Sequence, residues 1–178
     1  RAIQLSVDRQ SESSYPPIEY HQRVRSLLWF HKNLDAIESG EKVSHPIFIA
    51  LQDTLSRYPV CISDLRTLLE GMEDDLFPTQ YQTFEDMRSY CYKVASTVGL
   101  ALIEIYGYSD PNARKHAEEM GIFLQMVNVL RDIEEDMARG RVYLPLQELD
   151  RFGISVNELN NQDIARTNRW QEFMRHYL

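Results

Sequence analysis

The sequence has few of the residues that mark secreted, membrane-spanning or metal-thiolate proteins. Its two cysteines, Cys61 and Cys91, lie far apart and outside any CxxC spacing, so we expect both to be reduced core residues of a cytoplasmic protein. Runs without a charge, 94–103 among them, reach only about half of the ~20 residues that a membrane-spanning helix needs. Because the chain begins at Arg1, without an initiator methionine or an apolar leader, we expect no signal peptide and a truncated start.

Basic residues are also too few for a nucleic-acid-binding protein. The 178 residues include 19 Lys and Arg against 27 Asp and Glu, a net charge of −8 that disfavours contact with a phosphate backbone. Only seven glycines and seven prolines interrupt the chain, and the hydrophobic residues, 43% of the total, recur at helical spacing. We therefore expect one all-α domain over residues 1–178.

Proline, glycine and capping residues place the boundaries of the predicted helices. Polar residues 11–17, which end in two prolines, predict a loop. Helices are expected at 18–38, 46–57, 83–106, 111–138, 146–151 and 156–159, with one more capped by Ser63 and a last one from 162. The last has no stop signal before residue 178, so we expect truncation there as well. The first is expected to bury Val24, Leu27, Leu28, Leu34 and Ile37.

Residues 120–133 of the fifth predicted helix, MGIFLQMVNVLRDI, carry one charge pair among apolar groups on almost every side. Such a helix is usually buried. At about 100° per residue, a mainly polar set falls within one arc of roughly 80°. Its members are Gly121, Gln125, Asn128, Asp132 and Asp136. This pattern predicts a polar stripe that points inward.

A DxxxD pair such as Asp132 and Asp136 is more often a solvated face than a binding site. Two like charges one turn apart nevertheless repel, by about 0.2–0.5 kcal/mol on an exposed helix and by more in a cavity, so a cation is expected beside them. Together with Asn128 they supply only oxygen ligands, which favours Mg²⁺ over zinc or iron. Mg²⁺ held by few carboxylates completes its shell with substrate phosphates, so the stripe predicts a phosphorylated ligand.

Three arginines follow or adjoin this acidic pair: Arg131, Arg139 and Arg141. Their planar guanidinium groups match the geometry of phosphate oxygens. The alternative is that they complement the partial negative charge at the end of the helix. Their position beside the two aspartates favours the phosphate-binding interpretation.

The fourth predicted helix is the candidate for the opposite wall of the site. Tyr90, Val94, Thr97 and Ala101 share one of its faces, and most residues between 95 and 101 are small. Small residues at this density more often mean tight helix packing, and that alternative stays open. Together with the polar stripe, this face predicts an apolar slot beside a diphosphate site.

Three segments of the chain resemble the squalene and phytoene synthases, which join prenyl diphosphates head to head. The run 125–145, QMVNVLRDIEEDMARGRVYLP, is similar to the second aspartate-rich motif of this family over its whole length. The segments 70–76, EGMEDDL, and 90–100, YCYKVASTVGL, agree with the family in order and spacing. The resemblance extends from about Leu28 to the end of the chain.

The resemblance implies an all-α, class I isoprenoid synthase fold, here an incomplete helical bundle around a central cavity. The implied magnesium ligands are Asn128, Asp132 and Asp136. The implied contacts to substrate or diphosphate are Gln125, Arg131 and Arg141, with Tyr90, Val94 and Ala101 along the lipid channel. The residues implied to take part in catalysis are Asp132, Asp136, Arg131 and Tyr90.

The implied reaction joins two farnesyl or two geranylgeranyl diphosphates through a cyclopropyl diphosphate, giving squalene or phytoene. Residues 103–108, IEIYGY, favour the bacterial squalene-forming branch that supplies hopanoids over the phytoene branch that supplies carotenoids. NADPH would take part only if the product is squalene, and any membrane contact would be peripheral. The family's first aspartate-rich motif should precede Arg1, so we expect this chain to hold half of an active site. The alternative is a non-catalytic relative that serves as a helical interaction or assembly protein.

Overall fold

The computed structural model describes residues 17–77 and 80–177, and within these ranges the chain is a set of helices. The α-helices are α1 (Pro17–Glu38), α2 (Pro46–Arg57), α3 (Ile62–Asp74), α4 (Phe84–Cys91), α5 (Thr97–Tyr106), α6 (Ala113–Arg131), α7 (Ile133–Ala138), α8 (Leu146–Arg151) and α9 (Asn168–Tyr177). A π-helical segment, Tyr92–Ser96, joins α4 to α5, and two 3-10 helices, Val156–Asn160 and Gln162–Arg166, precede α9. The all-α expectation is confirmed. Most of the expected loop at 11–17, the chain break at Pro78 and the final Leu178 lie outside the described residues.

Local sequence signals account for several helix boundaries. Thr83 and Asp86 form the predicted capping box of α4, in which each side chain accepts a hydrogen bond from the other residue's backbone N–H. Pro46 lies in the first turn of α2, where its missing N–H costs no helical hydrogen bond. Gly40 and Gly107, both at positive φ, follow the ends of α1 and α5.

Two apolar clusters hold the helices together. The larger surrounds Met87, Cys91 and Phe173, which are fully buried, and joins α4, α6, α8 and α9 with the segment 142–144. The smaller packs α1 against α3. Because full burial of a large apolar side chain contributes about 1.5–3 kcal/mol, these clusters are the main source of the bundle's stability.

Helix α6 crosses the π-helical segment at close range. A Cβ atom at Gly121 would lie 2.5 Å from the Cα of Ser96, so only glycine fits this crossing. The hydroxyl of Ser96, which is fully buried, donates a hydrogen bond of 2.6 Å to the carbonyl oxygen of Glu118. Gly99 of α5 likewise faces the backbone of Ala117. At these positions the small residues serve tight helix packing, the alternative that the sequence left open.

Four predicted helix boundaries differ from the structure. The predicted helix 83–106 contains the π-helical segment, where the N–H of Thr97 donates to the carbonyl of Tyr92 five residues earlier. The predicted helix 111–138 begins at Ala113 and is divided at Asp132, whose φ of −103° and ψ of 15° depart from helical values. The predicted helix from 162 is a 3-10 turn followed by α9. Helix α3 has Cys61 rather than Ser63 at its N-cap.

Two predictions of burial are wrong. Leu28, expected within the buried stripe of the first helix, is 47% exposed, whereas Leu27 and Leu34 are buried. Cys91 is buried as expected, but Cys61, at the N-cap position of α3, is exposed. Both cysteines are free thiols.

Helix α6 was expected to be buried on almost every side, and this prediction is also wrong. Its buried residues, Gly121, Ile122 and Val129, face the π-helical segment, α4 and α5, against which α6 mainly packs. The other side exposes four large apolar residues, which we call the α6 apolar face: Met120, Phe123, Leu124 and Val127. Among the described residues, no helix is both long and apolar enough to cross a membrane.

Candidate active site

The polar residues of the predicted stripe lie half-buried along α6 and into α7. Asn128 Nδ2 is 3.4 Å from Gln125 Oε1, one turn earlier. Asp132 follows at the break between the two helices, and its backbone N–H still donates to the Asn128 carbonyl at 2.9 Å. The N–H of Asp136 donates in the same way to the Asp132 carbonyl, also at 2.9 Å. Because helical hydrogen bonds continue through the break, the three implied metal ligands stay one turn apart from each other.

Asp132 has its own counter-charge. Nε and Nη2 of Arg131 donate hydrogen bonds of 2.6 Å to Oδ1 and Oδ2 of Asp132. These two hydrogen bonds from one guanidinium hold the pKa of the Asp132 carboxyl below its ordinary value. Arg131 thus covers the carboxylate edge that a bound cation would need. Because the guanidinium is exposed, opening the pair costs little.

Asp136 has the opposite environment. Its side chain is half-buried, and burial raises the pKa of its carboxyl; the charge of Arg141 lowers this pKa, while the charge of Asp132 raises it. A cavity of about 10 Å³, with room for one water, lies beside Asp136 and is lined mostly by apolar groups, with Arg141 and Tyr143 at its wall. A half-buried carboxylate of raised pKa is a group that a cation would stabilise.

The row of Asn128, Asp132 and Asp136 fits a hard divalent ion by the chemistry of its donors. All three supply oxygen, the ligand type that Mg²⁺ prefers. In the part of the chain that the structure describes, no group of three or more His, Cys, Asp and Glu side chains could hold a metal by itself. Two carboxylates and one amide therefore suit an ion that takes its other ligands from water or from a bound phosphate.

Tyr90 lies buried in α4 and reaches the C-terminal end of α3. Its hydroxyl donates a hydrogen bond of 3.0 Å to Oδ1 of Asp75, and the hydroxyl of Tyr143 donates one of 2.9 Å to the same oxygen. The two tyrosine rings stack with 5.0 Å between centroids. Nη2 of Arg141 donates to the backbone carbonyl of Asp75 at 3.2 Å. The structure thus brings two predicted site residues, Tyr90 and Arg141, together through Asp75.

Backbone pairing between two loops places the segment 141–145 at this point. Gln80 and Val142 form an isolated parallel bridge. A hydrogen bond of 2.9 Å from the N–H of Leu146 to the carbonyl of Tyr81 continues the pairing. These contacts seat the segment against the chain that leads into α4, and so beside Tyr90.

The other predicted phosphate contacts stay apart from this cluster. Arg131 is paired with Asp132, and Arg139 forms an ion pair with Glu135 one turn earlier in α7. For Arg139, this contact agrees with the alternative that the arginines stabilise the helix rather than bind a ligand.

Val94 and Ala101, implied to line the lipid channel, are half-buried in consecutive helical segments. Val94 packs against α3: its Cγ1 lies 2.6 Å from the position that a Cβ at Gly71 would take. Ala101 belongs to α5, which exposes Val98 and Leu102 at 40% and 42%. Since α5 packs against α6, these groups and the α6 apolar face lie on neighbouring helices.

Sequence reasoning did not find Asp75, Tyr143 or Tyr81 as site residues. Asp75 and Tyr143 both lie in segments that carry the family resemblance, and this was the one signal available for them. Their contact joins positions 68 residues apart, which no local pattern predicts. Tyr81, whose ring centroid is 5.5 Å from that of Tyr90, completes the aromatic group.

Comparison with known proteins places these residues in a family context. The family model described as squalene/phytoene synthase matches residues 1–178. A 15-cis-phytoene synthase of Synechococcus elongatus is 42% identical to this chain over 99% of the chain and 60% of the relative. Phytoene synthase 1 of Arabidopsis thaliana is 42% identical over 71% of the chain and 31% of the relative. The chain spans about 60% of the length of the first of these relatives and less of the second.

Two solved structures share the fold. The crystal structure of squalene synthase HpnC from Alicyclobacillus acidocaldarius matches with a TM-score of 0.76 and 28% identity, over 86% of this chain and 57% of that chain. The crystal structure of a dehydrosqualene synthase in complex with ligand matches with a TM-score of 0.77 and 25% identity, over 90% and 57%. The all-α isoprenoid synthase fold therefore extends over most of this chain.

Proposed function

Because the chain belongs to the squalene/phytoene synthase family, we propose that it serves the head-to-head condensation of two allylic prenyl diphosphates. The proposed substrates are farnesyl or geranylgeranyl diphosphate, and the proposed cofactor is Mg²⁺. The proposed location is the cytoplasm, with peripheral contact to the membranes that hold the lipid product.

One observation carries this proposal: a half-buried row of oxygen donors, with a carboxylate of raised pKa at Asp136, lies along α6 and α7, and the exposed apolar Leu124 precedes its first metal-ligand candidate, Asn128, by one turn. A prenyl diphosphate has the matching two-part chemistry, an anionic head that a cation can hold and a hydrocarbon tail. Burial of the tail contributes about 0.8 kcal/mol per CH₂. The row and the apolar groups of α5 and α6 are therefore proposed as one binding site.

Negative charge accumulates on the departing diphosphate, so fixed positive groups at this point lower the barrier. Asn128, Asp132 and Asp136 are proposed to hold Mg²⁺, which when bound supplies charge neutralisation for the leaving group. Arg141 is proposed to donate hydrogen bonds to the diphosphate oxygens. Arg131 can do so once it releases Asp132, and its exposure makes this exchange inexpensive.

In the proposed reaction, diphosphate leaves the first substrate and an allylic carbocation forms. The double bond of the second substrate attacks this carbon, and loss of a proton closes the ring of a cyclopropyl diphosphate. A second loss of diphosphate and a rearrangement give a linear carbocation, which loses a proton if the product is phytoene or accepts a hydride from NADPH if the product is squalene. Gln125 and Tyr90 are proposed to contact the substrates, with Val94 and Ala101 in the apolar wall that excludes water, because water would quench the carbocation to an alcohol.

Phytoene is the proposed product, because the two relatives at 42% identity are named phytoene synthases. The segment 103–108 favours squalene instead, and the matching solved structures are named as squalene and dehydrosqualene synthases. NADPH is proposed as a reductant only for squalene. Incubation of the protein with labelled C15 and C20 diphosphates, followed by extraction of the lipid product, distinguishes the two.

A second candidate function is that of a non-catalytic relative that serves as an interaction or assembly protein. The bidentate ion pair between Arg131 and Asp132 favours the non-catalytic function, since the Asp132 carboxylate is already neutralised by a residue of the chain itself. The α6 apolar face would then be a protein-binding surface.

Calorimetry with a non-hydrolysable prenyl thiodiphosphate tests the proposed function against this alternative. We expect binding that requires Mg²⁺. We expect Asp132→Ala to lose this Mg²⁺-dependent binding and turnover, while the circular dichroism of the helices stays unchanged. Glu134→Ala, which removes an exposed carboxylate of α7, is the matched control and should bind as the wild type does. Equal affinity with and without Mg²⁺, or product formation by Asp132→Ala, would contradict the proposed ligands.

A further inference from the structure

Asp75, at the C-terminal end of α3, contacts three side chains that come from two other parts of the chain. Its Oδ1 accepts hydrogen bonds from the hydroxyls of Tyr90 and Tyr143, at 3.0 and 2.9 Å. Its backbone carbonyl accepts one from Arg141, at 3.2 Å. Asp75 lies outside the row of implied metal ligands, and the proposed function gives it no role.

The environment of this cluster keeps both hydroxyls protonated. Burial is the main cause that raises the pKa of Tyr90 far above its ordinary value and the pKa of Tyr143 to about 12, and the negative charge of Asp75 adds to both. The two rings are stacked, with 24° between their planes, so neither can turn freely. At neutral pH both phenols therefore remain donors to the Asp75 carboxylate.

The carboxylate also decides what the tyrosines can offer to a ligand. A phenol has one proton to donate, and in both tyrosines this proton is directed to Asp75. The phenol oxygens then present only lone pairs to the rest of the site. If the carboxylate became an amide, each hydroxyl could turn its proton to another acceptor, such as a diphosphate oxygen.

We propose that Asp75 is a positioning residue, whose carboxylate fixes the hydroxyls of Tyr90 and Tyr143 in one arrangement for the reaction, while its backbone carbonyl holds the guanidinium of Arg141 beside them. The proposal rests on the proposed function, in which Tyr90 and Arg141 contact substrate and diphosphate. Asp75 acts through these side chains and not on the substrate itself.

A structural role is the competing explanation, because Asp75 also links α3 to the segment 141–143. A contact that only stabilises the fold changes the melting temperature, and it leaves kcat unchanged at temperatures where the variant is folded. A positioning residue lowers kcat while substrate binding persists, since misplacement of a catalytic group by about 1 Å costs on the order of 100-fold in rate.

The test is Asp75→Asn, which keeps the shape and removes the charge. Its control is Glu70→Gln, the same chemical change at an exposed position of α3. For Asp75→Asn we expect kcat to fall by about 100-fold with the affinity for the thiodiphosphate analogue little changed, and for Glu70→Gln we expect wild-type kinetics. A kcat within about threefold of the wild type for folded Asp75→Asn would overturn the positioning role, because that change is small against the expected loss.

Tyr143→Phe keeps the test decisive if Asp75→Asn does not fold. It retains the stacked ring and removes one of the two hydrogen bonds to Asp75, so we expect a smaller loss of kcat. Where both variants fold, the double variant should be no slower than Asp75→Asn alone, because the two changes act on one contact; fully additive losses would overturn the proposal. A wild-type protein that neither binds the analogue nor forms product would instead remove the proposed function, and the positioning role with it.

Discussion

Asp136 lies half-buried beside an apolar cavity, and burial raises the pKa of its carboxyl above the ordinary value of 3.8. A raised pKa in the folded state means that the folded protein holds the proton more tightly than the unfolded chain does. The stabilisation is fully present below pH 3.8 and is lost as the pH rises through the folded-state pKa. At neutral pH the charge on Asp136 therefore opposes folding.

We predict that Asp136→Asn stabilises the protein at pH 7 in the absence of Mg²⁺. Since the side chain is only half-buried, the gain should be at most about 1 kcal/mol, or about 2–4 °C in Tm for a chain of this size. Thermal unfolding followed by circular dichroism at pH 7 and at pH 3.5 measures it, and the gain should disappear at the lower pH. A Tm unchanged or lowered at pH 7 would show that burial of this charge is not costly.

Asp86→Asn is the control of opposite sign. The backbone N–H and the hydroxyl of Thr83 hold the pKa of Asp86 below 3.8, so this charge stabilises the fold above pH 3.8 and the effect is lost as the pH falls through the folded-state pKa. The variant should thus have a lower Tm than the wild type at pH 7.

Mg²⁺ provides a further comparison of the two variants. If Mg²⁺ binds at the proposed row, it should raise the Tm of the wild type and of Asp86→Asn but not of Asp136→Asn.

The crossing of α6 over the π-helical segment depends on one missing side chain. A methyl group at Gly121 would meet the Cα, N and Oγ of Ser96 at 2.5–2.9 Å, and backbone atoms have no room to withdraw. We predict that Gly121→Ala destabilises the protein by about 1–3 kcal/mol, the usual cost of overpacking, although alanine is the better helix former. Urea unfolding measures the change in free energy.

Gly99→Ala is the matched control for this element. Its new methyl group would lie 3.3 Å from the carbonyl oxygen of Ala117, a contact that a small shift relieves. The helix propensity of alanine, worth up to about 1 kcal/mol over glycine, then offsets most of the cost. Equal losses of unfolding free energy in Gly121→Ala and Gly99→Ala would mean that the Gly121 crossing is no tighter than the rest of the interface.

Helix boundaries marked by capping residues or proline could be predicted from the sequence. Irregular helical segments that depend on packing against another helix could not. Two boundaries followed from the sequence because their signals lie within a few residues of the helix start. These signals are the capping box of Thr83 and Asp86 in α4 and the proline that opens α2. The π-helical segment and the break at Asp132 involve no proline or glycine at the irregular positions themselves. The segment packs against both α3 and α6, and such tertiary contacts are not encoded in helical spacing.

The candidate site shows the same division. The row of Asn128, Asp132 and Asp136 could be predicted because it repeats every four residues along one segment. The Asp75 cluster could not, because its members are 15 and 68 residues apart and meet only when α3, α4 and the segment 141–145 pack together. Sequence periodicity predicts which side chains share a face, but it does not predict which faces meet.

For the molecule as a whole, the unusual feature is the amount of exposed apolar surface on one pair of neighbouring helices. Val98 and Leu102 of α5 and the α6 apolar face are each at least 36% exposed. Large exposed apolar side chains on neighbouring helices suit a binding site for lipid or protein, or a surface prone to association. The chain also spans only 57% of the two solved structures that share its fold.

We predict that the 178-residue chain self-associates through this surface. Sedimentation velocity should show a sedimentation coefficient that rises with protein concentration, and Phe123→Glu, which places a charge in the α6 apolar face, should suppress the rise. Ile49→Glu introduces the same charge at an isoleucine of α2 that is 51% exposed, and it should leave the association unchanged. Equal suppression by both variants would indicate a general effect of net charge.

The same experiment with ligand separates the two functions proposed for the protein. If the face receives the hydrocarbon tail of a prenyl diphosphate, then the thiodiphosphate analogue with Mg²⁺ should cover it and lower the association, as Phe123→Glu does. If the analogue leaves the association unchanged while Phe123→Glu abolishes it, the face binds protein and not lipid. That result would favour the assembly protein, because an apolar wall that the substrate does not reach has no role in protecting a carbocation from water.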